Sequence, residues 1–150
     1  MCKMKKAVEY LKQLREIDGD VENLISEAER WRLIATGTTS RSDGERVQSS
    51  GNHQRMADAV CRYVDIEEDI KRHLAALAEK RKEILETIRQ LPYDKRNVLH
   101  KRYVQDMTFD EIAAACDKSR SWVTSVHGRA LQAVQKILDE RGENSGKTGV

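Results

Sequence analysis

The chain has 150 residues, 35% charged and 5% aromatic, with eight glycines and one proline; it can hold a compact domain with a helical extension but not a large catalytic fold, and it is short of the residues that build sheets and tight turns. No apolar run approaches the roughly 18 to 20 residues of a membrane span, the first residues lead into no secretory core, and Cys2, Cys61 and Cys116 form no Cys-x-x-Cys pair, so a cytoplasmic protein with free thiols and no metal site is expected. The net charge of +2 is unevenly spread: residues 1–35, 36–52 and 53–91 are each neutral, whereas residues 92–138 carry eight basic side chains against five acidic ones, the imbalance expected where nucleic acid is met.

From about Lys5 to Ala35 the residues Val8, Leu11, Leu14, Val21, Leu24, Ala28, Trp31 and Ala35 recur at intervals of three, four or seven, which marks one face of a long helix. Residues 36–52 hold three glycines and seven serines or threonines without apolar periodicity, and a flexible loop is expected there. A second long helix follows from about His53 to Gln90. Its seam is Val60, Tyr63, Ile70, Leu74, Leu77, Ile84, Ile88 and Leu91, interrupted by Glu67 and Arg81. Two helices of about 45 to 57 Å joined by a loop suggest an antiparallel, coiled-coil-like hairpin over residues 1–91. Either the hairpin buries its own stripe or it pairs into a homodimer. Glu67 and Arg81 either help to set the register or lie on a solvated edge.

Leu91-Pro92 ends this helix, because the residue before proline is driven out of the helical region. A third helix is expected from Tyr93 to Val104, with Val98, Leu99 and Tyr103 on one side. Thr108 and Glu111 have the spacing of a capping box, which starts a short helix at Phe109 that ends near Cys116. Ser119 can cap the next helix, from Arg120 to about Leu138. Two helices crossing this closely need a small residue, a left-handed turn residue and apolar residues facing back. Ala113, Asp117, Val123 and Val126 meet those needs, and Ile112 and Cys116 complete the inner face. Residues 92–138 therefore read as a helix-turn-helix, and the polar, glycine-rich residues 139–150 as a disordered tail.

The run LPYDKRNVLHKRYVQDMTFDEIAAACDKSRSWVTSVHGRAL resembles the fourth region of bacterial sigma factors. The shared features are the Leu-Pro opening, Arg-Tyr near the end of the first helix, Asp-Glu-Ile-Ala in the second and Ser-x-Ser-x-Val in the recognition helix. The resemblance covers about a third of the chain. The helical N-terminal part resembles small phage-encoded late-gene regulators of the ArpU and RinA type. Together these imply an all-α protein with a sigma region-four-like helix-turn-helix, a phage-type transcription regulator that binds double-stranded DNA and can meet RNA polymerase. The chain departs from the sigma pattern at Asp117, where glycine is usual, and at Lys118, where an apolar residue is usual; a lysine stem can cover apolar surface.

From Ser119 to Leu138 three basic residues, Arg120, Arg129 and Lys136, meet no acidic one. With Val123 and Val126 inward, Arg120, Ser121, Thr124 and Ser125 point outward near the end that enters a major groove, and base-edge contacts are expected from them. Lys118, Arg129 and the backbone N–H groups at Ser119 are expected at phosphates. Trp122 either packs on the first helix of the unit or flanks the groove. Gly128, inside a helix, implies a close approach by the first helix or by the DNA backbone. His127 is expected on the surface.

Nothing in the chain points to an enzyme or a cofactor: there is no glycine loop for phosphate, no His-Glu-x-x-His pair and no Cys/His zinc spacing. Two other readings stay open. Small terminases of phage packaging machinery also join a helix-turn-helix to helical oligomerisation segments, and a polymerase adaptor can use a sigma-like module for protein contact.

Overall fold

The computed structural model describes residues 5–37 and 51–145, and within them the secondary structure is helical. The elements are α1 (Lys5–Thr36), α2 (Gly51–Arg89), α3 (Tyr93–Leu99) continued by a wider π-helical turn (His100–Val104), α4 (Phe109–Cys116) and α5 (Arg120–Ser145). The chain divides into two compact units. One comprises residues 1–18 and 79–150, the other residues 19–78. The loop expected over residues 36–52 lies mostly outside the described residues, as do residues 146–150.

The first unit holds most of the buried apolar side chains. Ala7, Leu11, Leu14 and Ile17 of α1 and Ile84 and Ile88 of α2 are buried here, as are residues of the last three helices. The helix-turn-helix thus shares its compact unit with the first turns of α1 and the last turns of α2, segments that apolar periodicity alone assigns to the hairpin. Polar contacts explain the attachment. The N–H of Ala7, one of the donors that a helix start leaves without an intrahelical partner, donates to Gln135 Oε1 of α5 at 3.0 Å. Gln135 is itself buried and donates from Nε2 to Asp139 at 2.9 Å. The Tyr10 hydroxyl lies 3.1 Å from Thr87 Oγ1 and 3.4 Å from Arg141, joining α1, α2 and α5.

Within this unit α1 and α2 run antiparallel, since Tyr10 meets Thr87 while Asp18 meets Arg81. The Arg81 side chain lies on that contact, with Nε 2.9 Å from Asp18 Oδ1, which fixes one register between the helices. Glu67 pairs instead with Lys71 of its own helix at 3.6 Å.

Three expectations about the elements need correction. The helix beginning at Tyr93 does not stay α-helical to Val104. It widens after Leu99, the Gln105 N–H bonding back five residues to His100 at 3.1 Å, and Asp106 then turns the chain in a left-handed conformation with φ 55°. The segment from Asp139 to Ser145 is not a disordered tail. It continues α5, because Arg141 has Tyr10 and, at 3.6 Å, Glu83 to bind. Val60 is not on the buried seam; it is 46% exposed, and Ala59 turns inward in its place.

In the second unit Val21, Leu24, Ala28, Trp31 and Ala35 of α1 and Tyr63, Ile66, Leu74 and Leu77 of α2 are half-buried, with Ile70 buried. The stripe read from periodicity is therefore the inward one, though a narrow one. No described helix is long and apolar enough to cross a membrane.

Candidate nucleic-acid interface

Local chemistry sets the two crossing helices. Thr108 and Glu111 form the capping box: the Glu111 N–H donates to Thr108 Oγ1 at 3.3 Å and the Thr108 N–H donates to Glu111 Oε2 at 2.7 Å. The backbone bond from Thr108, with its hydroxyl adding to it, holds the Glu111 carboxyl below the usual carboxylate range. Asp117 closes α4 in the left-handed region, φ 53° and ψ 47°, while the Lys118 N–H reaches back to the Ala113 carbonyl at 3.0 Å. Aspartate tolerates this conformation, so the turn does not require the usual glycine. Two residues on, Ser119 Oγ accepts the Trp122 N–H at 3.1 Å and starts α5.

Behind the turn lies a small core of Val98, Ile112, Ala113, Val123 and Val126, with Met107, Phe109, Cys116 and Trp122 packed against it. Trp122 therefore packs on this core, and the Lys118 ammonium lies 5.7 Å from its ring centroid. The same α5 turns that bury Val123, Val126 and Ala130 leave Arg120, Ser121, Thr124, Ser125 and Arg129 exposed, with Lys118 and Ser119 exposed in the turn before them. All eight residues singled out from the sequence thus lie together, seven on an open face and Trp122 half-buried at its edge.

Patterning had not pointed to Asp110. Its carboxylate, in the first turn of α4, lies 3.4 Å from the Arg120 guanidinium, with both side chains well exposed. The Thr124 hydroxyl donates to the Ser121 carbonyl at 3.0 Å, which commits its proton and leaves its oxygen free to accept.

Two expectations change here: of the two approaches expected at Gly128 the one by the first helix is absent, and His127 is not on the surface. Gly128 marks no close packing: a Cβ built there meets nothing within 4 Å. Gly128→Ala should therefore stabilise the free protein by up to about 1 kcal/mol, the intrinsic cost of glycine inside a helix, as read from urea midpoints. His127 is not a plain surface residue. It is half-buried, with Nε2 3.0 Å from the Tyr103 hydroxyl and its ring edge-on to Phe109 at 5.1 Å. Burial, assisted by the nearby Arg102 charge, pushes its pKa below the ordinary 6.5. Burial pushes the Tyr103 phenol up, against the opposing pull of Arg102.

Because the unfolded chain binds the His127 proton more readily than the folded one, this contribution to stability is full above about pH 6.5 and is lost as pH falls through the folded value. Unfolding free energy should therefore decline as pH falls below about 6.5, and His127→Gln should flatten that decline. Urea titrations of the two proteins at several pH values check this.

Comparison with known proteins agrees with the geometry. Residues 87–136 match the family Sigma-70, region 4. The matched segment begins in the last turn of α2 and takes in α3, α4 and most of α5, so the helix-turn-helix is a sigma region 4-like unit. RNA polymerase sigma factor SigO of Bacillus subtilis (strain 168) is 26% identical over 102 residues, which cover 67% of this chain. The aligned part spans about half of that relative, 53% of its length. No solved structure matches the chain.

Proposed function

We propose that this protein is a sequence-specific DNA-binding transcription regulator of the small phage type, reading promoter DNA in the host cytoplasm with the start of α5 in a major groove. The observation that carries the proposal is the open face of Lys118, Ser119, Arg120, Ser121, Thr124, Ser125 and Arg129 on a region 4-like helix whose opposite face is buried. Arg120 has the fork of donors that suits guanine O6 and N7. Thr124, its proton already given to Ser121, is placed to accept from the amino group of adenine or cytosine. Lys118, Arg129 and the backbone N–H groups at Ser119 take phosphates and set the position on the duplex. Trp122 stands at the edge of this face and touches a sugar or a thymine methyl. Gly128 leaves open space that suits an approaching DNA backbone. The name of the relative, an RNA polymerase sigma factor, supports RNA polymerase as the protein partner. The protein is in this reading a binding protein and not a catalyst.

The test is retention of sheared source-genome DNA by the purified protein at low salt, with the retained fragments sequenced. Enrichment upstream of particular operons, lost in Arg120→Ala, supports the reading. Uniform retention, or none, overturns it in favour of a polymerase adaptor.

A further inference from the structure

The unit formed by residues 19–78 has a shortage of core. Among the described residues seventeen apolar side chains are buried, and of these Ile70 alone falls within it. Among the described residues seven large apolar side chains stay exposed, and six of them lie in it: Ile25, Leu33, Ile34, Met56, Val60 and Val64. Two helices that touch through one half-buried stripe gain little from tertiary packing, and tertiary packing is what ordinarily stabilises a helix in water. Exposed apolar rows rimmed by polar residues mark association surfaces.

Met56, Val60 and Val64 are spaced four and eight apart, so they form one row along α2, about 12 Å long at 1.5 Å per residue. The row ends where Glu67, Glu68 and Lys71 follow, and the exposed small residues Ala57 and Cys61 stand beside it, where another helix can come close. It is symmetric about Val60, with an apolar residue one turn before and one turn after. Nucleic acid is a poor occupant, because residues 19–78 carry eleven acidic side chains against eight basic ones. A row that is its own mirror in chain direction is complementary to itself.

We propose that a second copy of this chain covers this row, through an antiparallel two-fold crossing of α2 on α2 centred on Val60. In that crossing the two Val60 side chains meet on the axis and Met56 faces the partner's Val64. The dimer surface lies in the unit that does not contain the helix-turn-helix, so it stands or falls independently of DNA binding.

Sedimentation equilibrium of the full chain tests the stoichiometry, and Val60→Glu tests the face. The wild type is expected at twice its 17.2 kDa chain mass. Val60→Glu is expected at the mass of one chain with Trp122 still packed on the core of the other unit, since Val60 is exposed within a single chain and lies outside that unit. A third protein, Val60→Cys with Cys2→Ser, Cys61→Ser and Cys116→Ala, is expected to cross-link to a chain dimer under mild oxidation. A wild type sedimenting as a single chain overturns the proposal and leaves the row to a different protein. A larger ring overturns it as well. A dimer that persists in Val60→Glu, or that fails to cross-link through residue 60, places the interface elsewhere and also overturns it.

Discussion

Arg120→Ala is expected to weaken binding to the preferred DNA site by roughly 5- to 150-fold, the equivalent of about 1 to 3 kcal/mol for a lost two-bond contact to guanine. The loss should fall on the preferred site more than on unrelated DNA, because a base contact carries sequence information and a phosphate contact does not. Fluorescence anisotropy with the preferred duplex and a scrambled one, at a single fixed salt concentration, reads both quantities. Equal losses on the two duplexes would show that Arg120 meets phosphate only. The fold supplies a second probe of the same contact. In the free protein Asp110 shares the Arg120 guanidinium at 3.4 Å, and its charge stands beside the face that DNA must approach. Asp110→Asn removes both the competitor and the repulsion. An exposed ion pair is worth at most about 1 kcal/mol, so a gain in affinity of no more than about fivefold is expected. A loss on that substitution would mean that Asp110 holds Arg120 in its reading position.

The parts of the fold that sequence made legible are those written in short-range chemistry. Thr108 and Glu111, three residues apart, announce the start of α4 because the cap they form is local, and Asp117 and Ser119 mark the following turn for the same reason. The inner face of α5 was readable because Val123 and Val126 must point away from whatever is exposed. What escaped depends on partners far along the chain. Gln135 caps α1 across a separation of 128 residues, and no window of neighbours contains both groups. The continuation of α5 through Asp139 to Ser145 rests in part on Arg141 reaching Tyr10, so a polar, glycine-containing stretch that reads as loose is held. His127 looked like a surface residue because its partners Tyr103 and Phe109 belong to other turns of the unit. The π-helical turn at His100–Val104 shifts the side chains around the helix, which a period of 3.6 residues cannot register. Val60 was placed on the seam by its heptad spacing alone, and burial shows that the seam passes one residue earlier, at Ala59.

Leu11→Ala is expected to destabilise the helix-turn-helix, although Leu11 lies about a hundred residues before it in the chain. Leu11 and Leu14 are fully buried, and they belong to the compact unit that contains α3, α4 and α5. Truncating one buried leucine costs about 2 to 5 kcal/mol, against a total stability of about 5 to 15 kcal/mol for a domain, so Leu11→Ala should lower the unfolding midpoint sharply and Leu11→Ala with Leu14→Ala should approach abolishing the fold. Trp122 packs on the helix-turn-helix core and can report from there once Trp31, the other tryptophan, is replaced by phenylalanine. The expected result is one cooperative transition in which Trp122 fluorescence and helical circular dichroism shift together by the same amount. If the first turns of α1 were merely appended, Trp122 would unfold at its original denaturant concentration while part of the helical signal was lost earlier. The polar ties argue for the first outcome. Removing the start of α1 would leave buried Gln135 without its Ala7 donor and the α2–α5 junction without Tyr10, and an unsatisfied buried polar group costs about 1 to 3 kcal/mol beyond the lost apolar contact. DNA binding by this protein should accordingly depend on residues 5–18, even though none of these is among the exposed residues at the start of α5.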